Sequence, residues 1–342
     1  MFTELPKLLD RNYMVGFLLP AAVLAGLCWW ILALHGLVPK SPLDSDSQAL
    51  IGGTAALLMV WLVSILLLAL NRQVDRLIQG YGWTGLGLAA TREREKFEAH
   101  AAPVLELQAA IDKARSEGRE AAAPMGFGLR LARVAERYPD ELRWLLPTRY
   151  GNRIRAAEVY SRAVYGLDAV TASYRISALL PPEFRELLNG ARAQVDFCIS
   201  LVAGGLIGGA LFLGLGAYRS DLPSLWPAAA AGAMIAVGYA LAVQLAMPYG
   251  AYLRSAFDLG REPLAASLGL AIPGDPAEER RMWKAVSQML TFRSARHFGA
   301  LAPFRKDWAE PEPPPPADGP EPPSRPDPIH LTVLRASGCK IR

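Results

Sequence analysis

The 342-residue chain is short of charge, histidine and paired cysteine, and each shortage excludes something. Charged residues make up 20% of it, against about a quarter in soluble domains, which counts against an ordinary water-soluble enzyme. Cys28, Cys198 and Cys339 lie far apart with no CxxC pair, so neither a disulfide framework nor a zinc ribbon can be built. The histidines, His35, His100, His297 and His330, are too scattered for a histidine metal site, and no metal or other cofactor is expected. No Gly-Lys dipeptide, GxSxG or HExxH occurs, which removes the P-loop, the esterase elbow and the zincin helix. With no convergent nucleophile or acid–base pair, no catalytic residue is assigned, and an enzyme acting on lipid ranks last among the readings. Gly85-Leu86-Gly87-Leu88-Ala89-Ala90 approaches a dinucleotide fingerprint, but a membrane-type helix precedes it where a strand is required. With Gly80 and Gly82 it reads as a flexible juxtamembrane hinge.

What the chain has instead is apolar length. Hydrophobic residues make up 52% of it, concentrated in runs near 13–38, 49–70, 197–218 and 225–247. A hydrocarbon core about 30 Å thick needs about 20 helical residues, and each run reaches that length. The second run holds eight Leu, two Ile and two Val with no charge. On an insertion scale those residues favour the bilayer by roughly 4–7 kcal/mol. The first run is too long for a signal-peptide core, and Pro20 is expected in its opening turns, where a missing N–H costs little. The fold class is therefore all-α: an integral membrane protein with four transmembrane helices, arranged as two hairpins, and a helical cytoplasmic module.

Charge orients it. Of the 36 basic residues, only Lys40 and Arg219 fall in the two short connections, so both termini and the central section are expected in the cytoplasm. The divisions are a stub 1–12, a first hairpin 13–70, a helical module 71–195, a second hairpin 196–250, cytoplasmic helices 251–308 and a tail 309–342. Ten prolines between 311 and 328 make the tail an extended linker. Asp275-Pro276 followed by Glu278 announces a helix to about Thr291. The run Arg92 to Lys96 reads as a solvated helix face.

No ionisable residue lies inside the four runs away from their ends, which argues against a pump. Small residues are plentiful: Gly204, Gly205, Gly208 and Gly209 in the third run, and Ala228, Gly232, Ala236 and Ala240 in the fourth. Such stripes let helices approach closely, within one chain or between copies of a homo-oligomer. Arg72 and Arg76, one turn apart, are expected to anchor the second span at the inner headgroups.

The most informative stretch is Leu146-Pro147-Thr148-Arg149-Tyr150-Gly151-Asn152-Arg153-Ile154-Arg155. Pro147 and Gly151 suggest a turn, and Asn152 an N-cap for a helix to about Tyr165. A helix start favours anions and disfavours cations, yet Arg149, Arg153 and Arg155 crowd this one. Arg149, Asn152, Arg153 and Arg155 are therefore candidates to bind an anion, a lipid headgroup or a small phosphorylated ligand. The alternative is pairing with Asp140, Glu141 or Asp168, and Glu158 is placed to pair with Arg162.

The segments Gly16-Phe17-Leu18-Leu19-Pro20, Leu146 to Asn152, Tyr165-Gly166-Leu167-Asp168-Ala169 and Leu253 to Leu259 resemble an uncharacterised family of bacterial multi-pass membrane proteins carrying an LPTRxGN-type motif. The resemblance spans about 5–295 and implies a bacterial inner membrane; it implies no activity, substrate or site residue. The leading expectation is a non-enzymatic membrane platform or sensor whose cytoplasmic helices bind a protein partner or an anionic ligand or lipid headgroup, with no nucleic-acid partner. The alternative is an oligomeric passive channel lined by the Gly-rich third span.

Overall fold

The computed structural model describes residues 10–34, 36, 46–83, 87–119, 123–219, 226–292 and 296–306. The chain divides into units 1–306 and 307–342, and the proline-rich tail falls outside the described residues, as do Lys40 and the stretch 220–225. Helix α1 runs through Arg11–Tyr13, a π turn Met14–Leu18 and Leu19–Leu34. It is followed by α2 (Asp46–Gln79), then α3, which joins Gly87–Lys96, a π turn Phe97–Ala101 and Ala102–Ser116. Next come α4 (Phe127–Arg137), α5 (Arg149–Val164), α6 (Ala169–Leu179), α7 (Pro182–Arg219), α8 (Trp226–Ser267) and α9 (Pro276–Phe292). The described residues form helices and no strands. Four stretches are long and apolar enough to cross a membrane: Arg11–Ala33, Gly52–Gln79, Pro182–Tyr218 and Trp226–Ser267.

Three of these helices run well past their apolar runs. Helix α2 continues to Gln79, α7 begins at Pro182, and α8 continues to Ser267 through Pro248 and Pro263. The extensions carry one packed face each, and α5 lies against them. Tyr150 and Ile154 of α5 share a core with Val195, Ile199 and Val202 of α7 and Ala242 and Ala246 of α8. No seam therefore separates the apolar helices from the module. A second core joins Ile176 of α6, Phe257 and Leu264 of α8, and Met282, Trp283 and Val286 of α9. Asp275 caps α9 by accepting from the Glu278 N–H at 3.1 Å, as the sequence predicts.

Pro20 lies deeper in its helix than expected. More than two turns of helix already precede it, so the Gly16 carbonyl has lost its i+4 donor. The Ser200 hydroxyl of α7 donates to that carbonyl at 2.8 Å, and the π turn spans the same residues. A Cβ at Gly16 would stand in ordinary contact with Asp196 Cβ, at 3.4 Å. The carbonyl left open by Pro20 and the Ser200 hydroxyl thus join α1 to α7.

The glycine stripe of α7 packs within the chain. A Cβ at Gly204 would fall 2.2 Å from Leu24, and one at Gly205 would fall 2.6 Å from Ile235. Gly209 faces Ala231, whereas Gly208 has open space around it, bordering an apolar cavity shared with α1 and α2. On α8 the face that meets α7 is Ala231, Ile235, Gly238 and Ala242. Gly232, Ala236 and Ala240 lie on the exposed face and Ala228 is half-buried. Four-residue spacing identified a stripe on α8, but the buried one is displaced by about one residue.

A candidate anion-binding site

Gly80 has φ +96° and ends α2 with paired reverse bonds, Gly80 N–H to Leu77 O and Tyr81 N–H to Arg76 O. This is a Schellman cap, so Gly80 belongs to a fixed joint and not to a flexible hinge. It leaves the carbonyls of Ile78 and Gln79 open, and the Thr148 hydroxyl lies 2.9 Å from both. The same oxygen accepts the Gly151 N–H at 3.0 Å. Thr148 is therefore the N-cap of α5, and Asn152 sits inside the helix. The predicted cap was misplaced because Gly151 looks like a turn residue. Its smallness serves packing instead: a Cβ there would stand 2.2 Å from the Gln79 carbonyl oxygen.

Much of the LPTRYGN stretch is thus structural. Pro147 closes on Gly80, and the fully buried Tyr150 donates to Asp75 at 2.8 Å. Asn152, also fully buried, accepts the Leu146 N–H at 2.7 Å and donates to Glu93 at 3.3 Å. Burial, and then the Asp75 charge, push the Tyr150 phenol well above its ordinary range. The Arg92–Lys96 run is not uniformly solvated either. Glu93 is buried, because Asn152 and the Lys96 ammonium (2.6 Å) hold it against α5.

The four candidate residues separate into two groups. Arg149, Asn152 and Arg153 line one cavity of about 390 Å³ together with Glu93, Lys96, His100, Arg137 and Tyr138. Arg149 is largely exposed, with its Nε 3.9 Å from Glu93. Arg153 donates to the backbone carbonyl of Val243 on α8. That carbonyl neighbours Gln244, whose own i+4 donor is missing at Pro248, so α8 is locally open to such a contact. Burial, followed by the nearby charges of Arg137 and Arg149, lowers the affinity of Arg153 for its proton. Arg155 points elsewhere. It pairs with Glu158 at 3.1 Å, donates to the Tyr81 hydroxyl and lies over the rings of Tyr81 and Trp144. Arg162 stacks on the same Trp144 instead of pairing with Glu158. Burial raises the Glu158 pKa, with Arg155 opposing that rise. None of Arg149, Arg153 and Arg155 pairs with Asp140, Glu141 or Asp168.

Sequence reasoning did not find Lys96, His100 and Arg137 as partners in the cavity. Arg130, Arg133 and Arg137 do recur at i, i+3 and i+7, which places them on one face of α4. A buried polar cluster was also missed. Asp75 accepts from Tyr150, Gln79 (2.9 Å) and Arg192 (3.0 Å), while Arg192 and Asn71 (2.9 Å) both bond Asp196. Its signal was present as Asn71, Asp75 and Gln79, spaced four apart. Arg76 lies against the Tyr81 ring and Arg72 is exposed. Tyr160 and Tyr165 both donate to Asp258, and Tyr174 is exposed.

No family model, no curated protein and no solved structure matches this chain. Among the described residues, no group of three or more His, Cys, Asp or Glu is placed to hold a metal ion.

Proposed function

We propose that the protein is a non-enzymatic four-span membrane platform or sensor whose cytoplasmic helices carry an anion-binding cavity. The observation that carries this reading is the charge of that cavity: Lys96, Arg137, Arg149 and Arg153 converge from three helices upon a single carboxylate, Glu93. Like charges brought this close are mutually unfavourable, and a bound anion relieves them. The membrane setting is supported by exposed apolar side chains on α2, such as Leu57 (72%) and Leu58 (60%), which water would oppose and lipid would accept. The positive-inside bias supports a cytoplasmic side for the cavity and both termini, and the resemblance to bacterial proteins supports an inner membrane. A channel along α7 has less support, since Gly204 and Gly205 are filled by neighbours of the same chain.

The test is thermal melting of the detergent-purified protein with added inorganic phosphate or pyrophosphate. A ligand at a hundred times its Kd adds about 2.7 kcal/mol to the folded state. The melting temperature of the wild type should rise, and the rise should vanish in the Arg137→Ala, Arg149→Ala double variant. Both side chains are exposed, so the variant should melt normally without anion. An equal response in wild type and variant contradicts the site.

A further inference from the structure

We infer that the anion held in this cavity is the phosphomonoester headgroup of an inner-leaflet lipid. This rests on the anion-binding reading above and adds the ligand's class and source. Three observations carry it. Arg153 is tied to the carbonyl of Val243. Counting about 20 residues of α8 from Trp226 ends a hydrocarbon crossing near Leu245, so Val243 lies within one turn of the inner headgroups. The cavity floor is therefore set at the depth of lipid phosphates rather than out in the cytoplasm.

The second observation is the charge left after internal pairing. Glu93 pairs with Lys96 at 2.6 Å and more distantly with Arg149 at 3.9 Å, so four cations meet one carboxylate. The excess positive charge, and the N–H groups of Arg137, Arg149 and Arg153 beyond those contacts, face a ligand. A phosphodiester carries one charge and two terminal oxygens. A phosphomonoester carries about −1.5 to −2 and three terminal oxygens, a closer match to three guanidinium groups. The third observation is the approach to the cavity. On α4, Arg130 and Arg133 extend the row of Arg137, and Leu129 beside them is 67% exposed. Basic and apolar side chains together on a surface helix suit an anionic bilayer, and a soluble phosphate has no use for the exposed leucine.

The experiment is native mass spectrometry of the full-length protein released from detergent. The protein is offered equal amounts of phosphatidate and phosphatidylglycerol with identical chains, with or without glycerol 3-phosphate. Wild type should retain phosphatidate preferentially, by about tenfold, the size of one added charge-assisted hydrogen bond. The Arg137→Ala, Arg149→Ala variant should lose that preference while keeping the wild-type melting temperature. Glycerol 3-phosphate should compete only in large excess. Equal retention of the two lipids overturns the phosphomonoester class, and a preference surviving in the variant overturns the location. Competition by stoichiometric glycerol 3-phosphate makes the source soluble and overturns the lipid. If phosphate still raises the melting temperature in any of these cases, anion binding itself survives. If no anion raises it, the underlying reading has failed.

Discussion

Thr148 and Gly151 show how two small side chains join two helices. One hydroxyl serves two carbonyl groups ending α2 and one N–H starting α5, and Gly151 makes the close approach possible. Thr148→Ala should therefore lower stability by about 1–2 kcal/mol, with Thr148→Ser close to wild type in the same melt. Gly151→Ala should cost about 1–3 kcal/mol, because its methyl group meets backbone rather than a yielding side chain. Arg155 and Glu158 make a separate, pH-dependent contribution. The folded pKa of Glu158 is raised above its ordinary 4.5, so the folded state binds the extra proton more readily than the unfolded chain. That contribution is complete below about 4.5 and is lost as pH rises through the folded value. Glu158→Gln should accordingly flatten the fall in melting temperature above about pH 4.5, and an unchanged slope would exclude Glu158 as its source. At this scale the basic residues were readable from the sequence, but their partners were not. Arg149, Arg153 and Arg155 broke a rule of helix starts visibly. What they face (Glu93 on α3 for Arg149, Val243 on α8 for Arg153, Tyr81 and Trp144 for Arg155) is fixed only by the tertiary fold.

Among the elements, α7 and α8 make the most demanding contact, with glycines on both sides. Gly205 packs on Ile235, and a Cβ at Gly238 would stand 3.1 Å from the Cys198 carbonyl oxygen. Gly205→Ile and Gly238→Ile should each destabilise the detergent-solubilised protein by about 1–3 kcal/mol. Gly208→Ile, with open space around it, should be tolerated; similar losses at all three positions would contradict the packing. The existence of these helices was legible because length and apolarity suffice to define them. Their ends were less so. Helices α2, α7 and α8 outlast their apolar runs. Polar partners across helices, Asp75 with Tyr150 and Arg192, and Asp196 with Asn71, hold the extensions of α2 and α7, and Phe257 and Leu264 pack that of α8. Hydropathy cannot register a carboxylate that is satisfied by another helix. The α8 stripe was misplaced for a related reason: small residues occupy several faces of that helix, and only its partner selects one.

At the scale of the whole molecule, the module and the apolar helices share one core, and on the proposed reading a ligand in the cavity would touch α8 through Arg153 and α2 through Glu93, Asn152 and Thr148. That continuity is what would let such a protein report on the lipid around it. The account stands on the cavity facing the cytoplasm beneath four membrane-crossing helices. The most direct measurement places a single cysteine at position 149 by Arg149→Cys, with Cys28, Cys198 and Cys339 changed to serine. A membrane-impermeant maleimide is then applied to intact cells and to inverted membrane vesicles. Labelling in the inverted vesicles alone is the predicted result. Labelling of position 149 in intact cells would place the cavity outside and contradict the account.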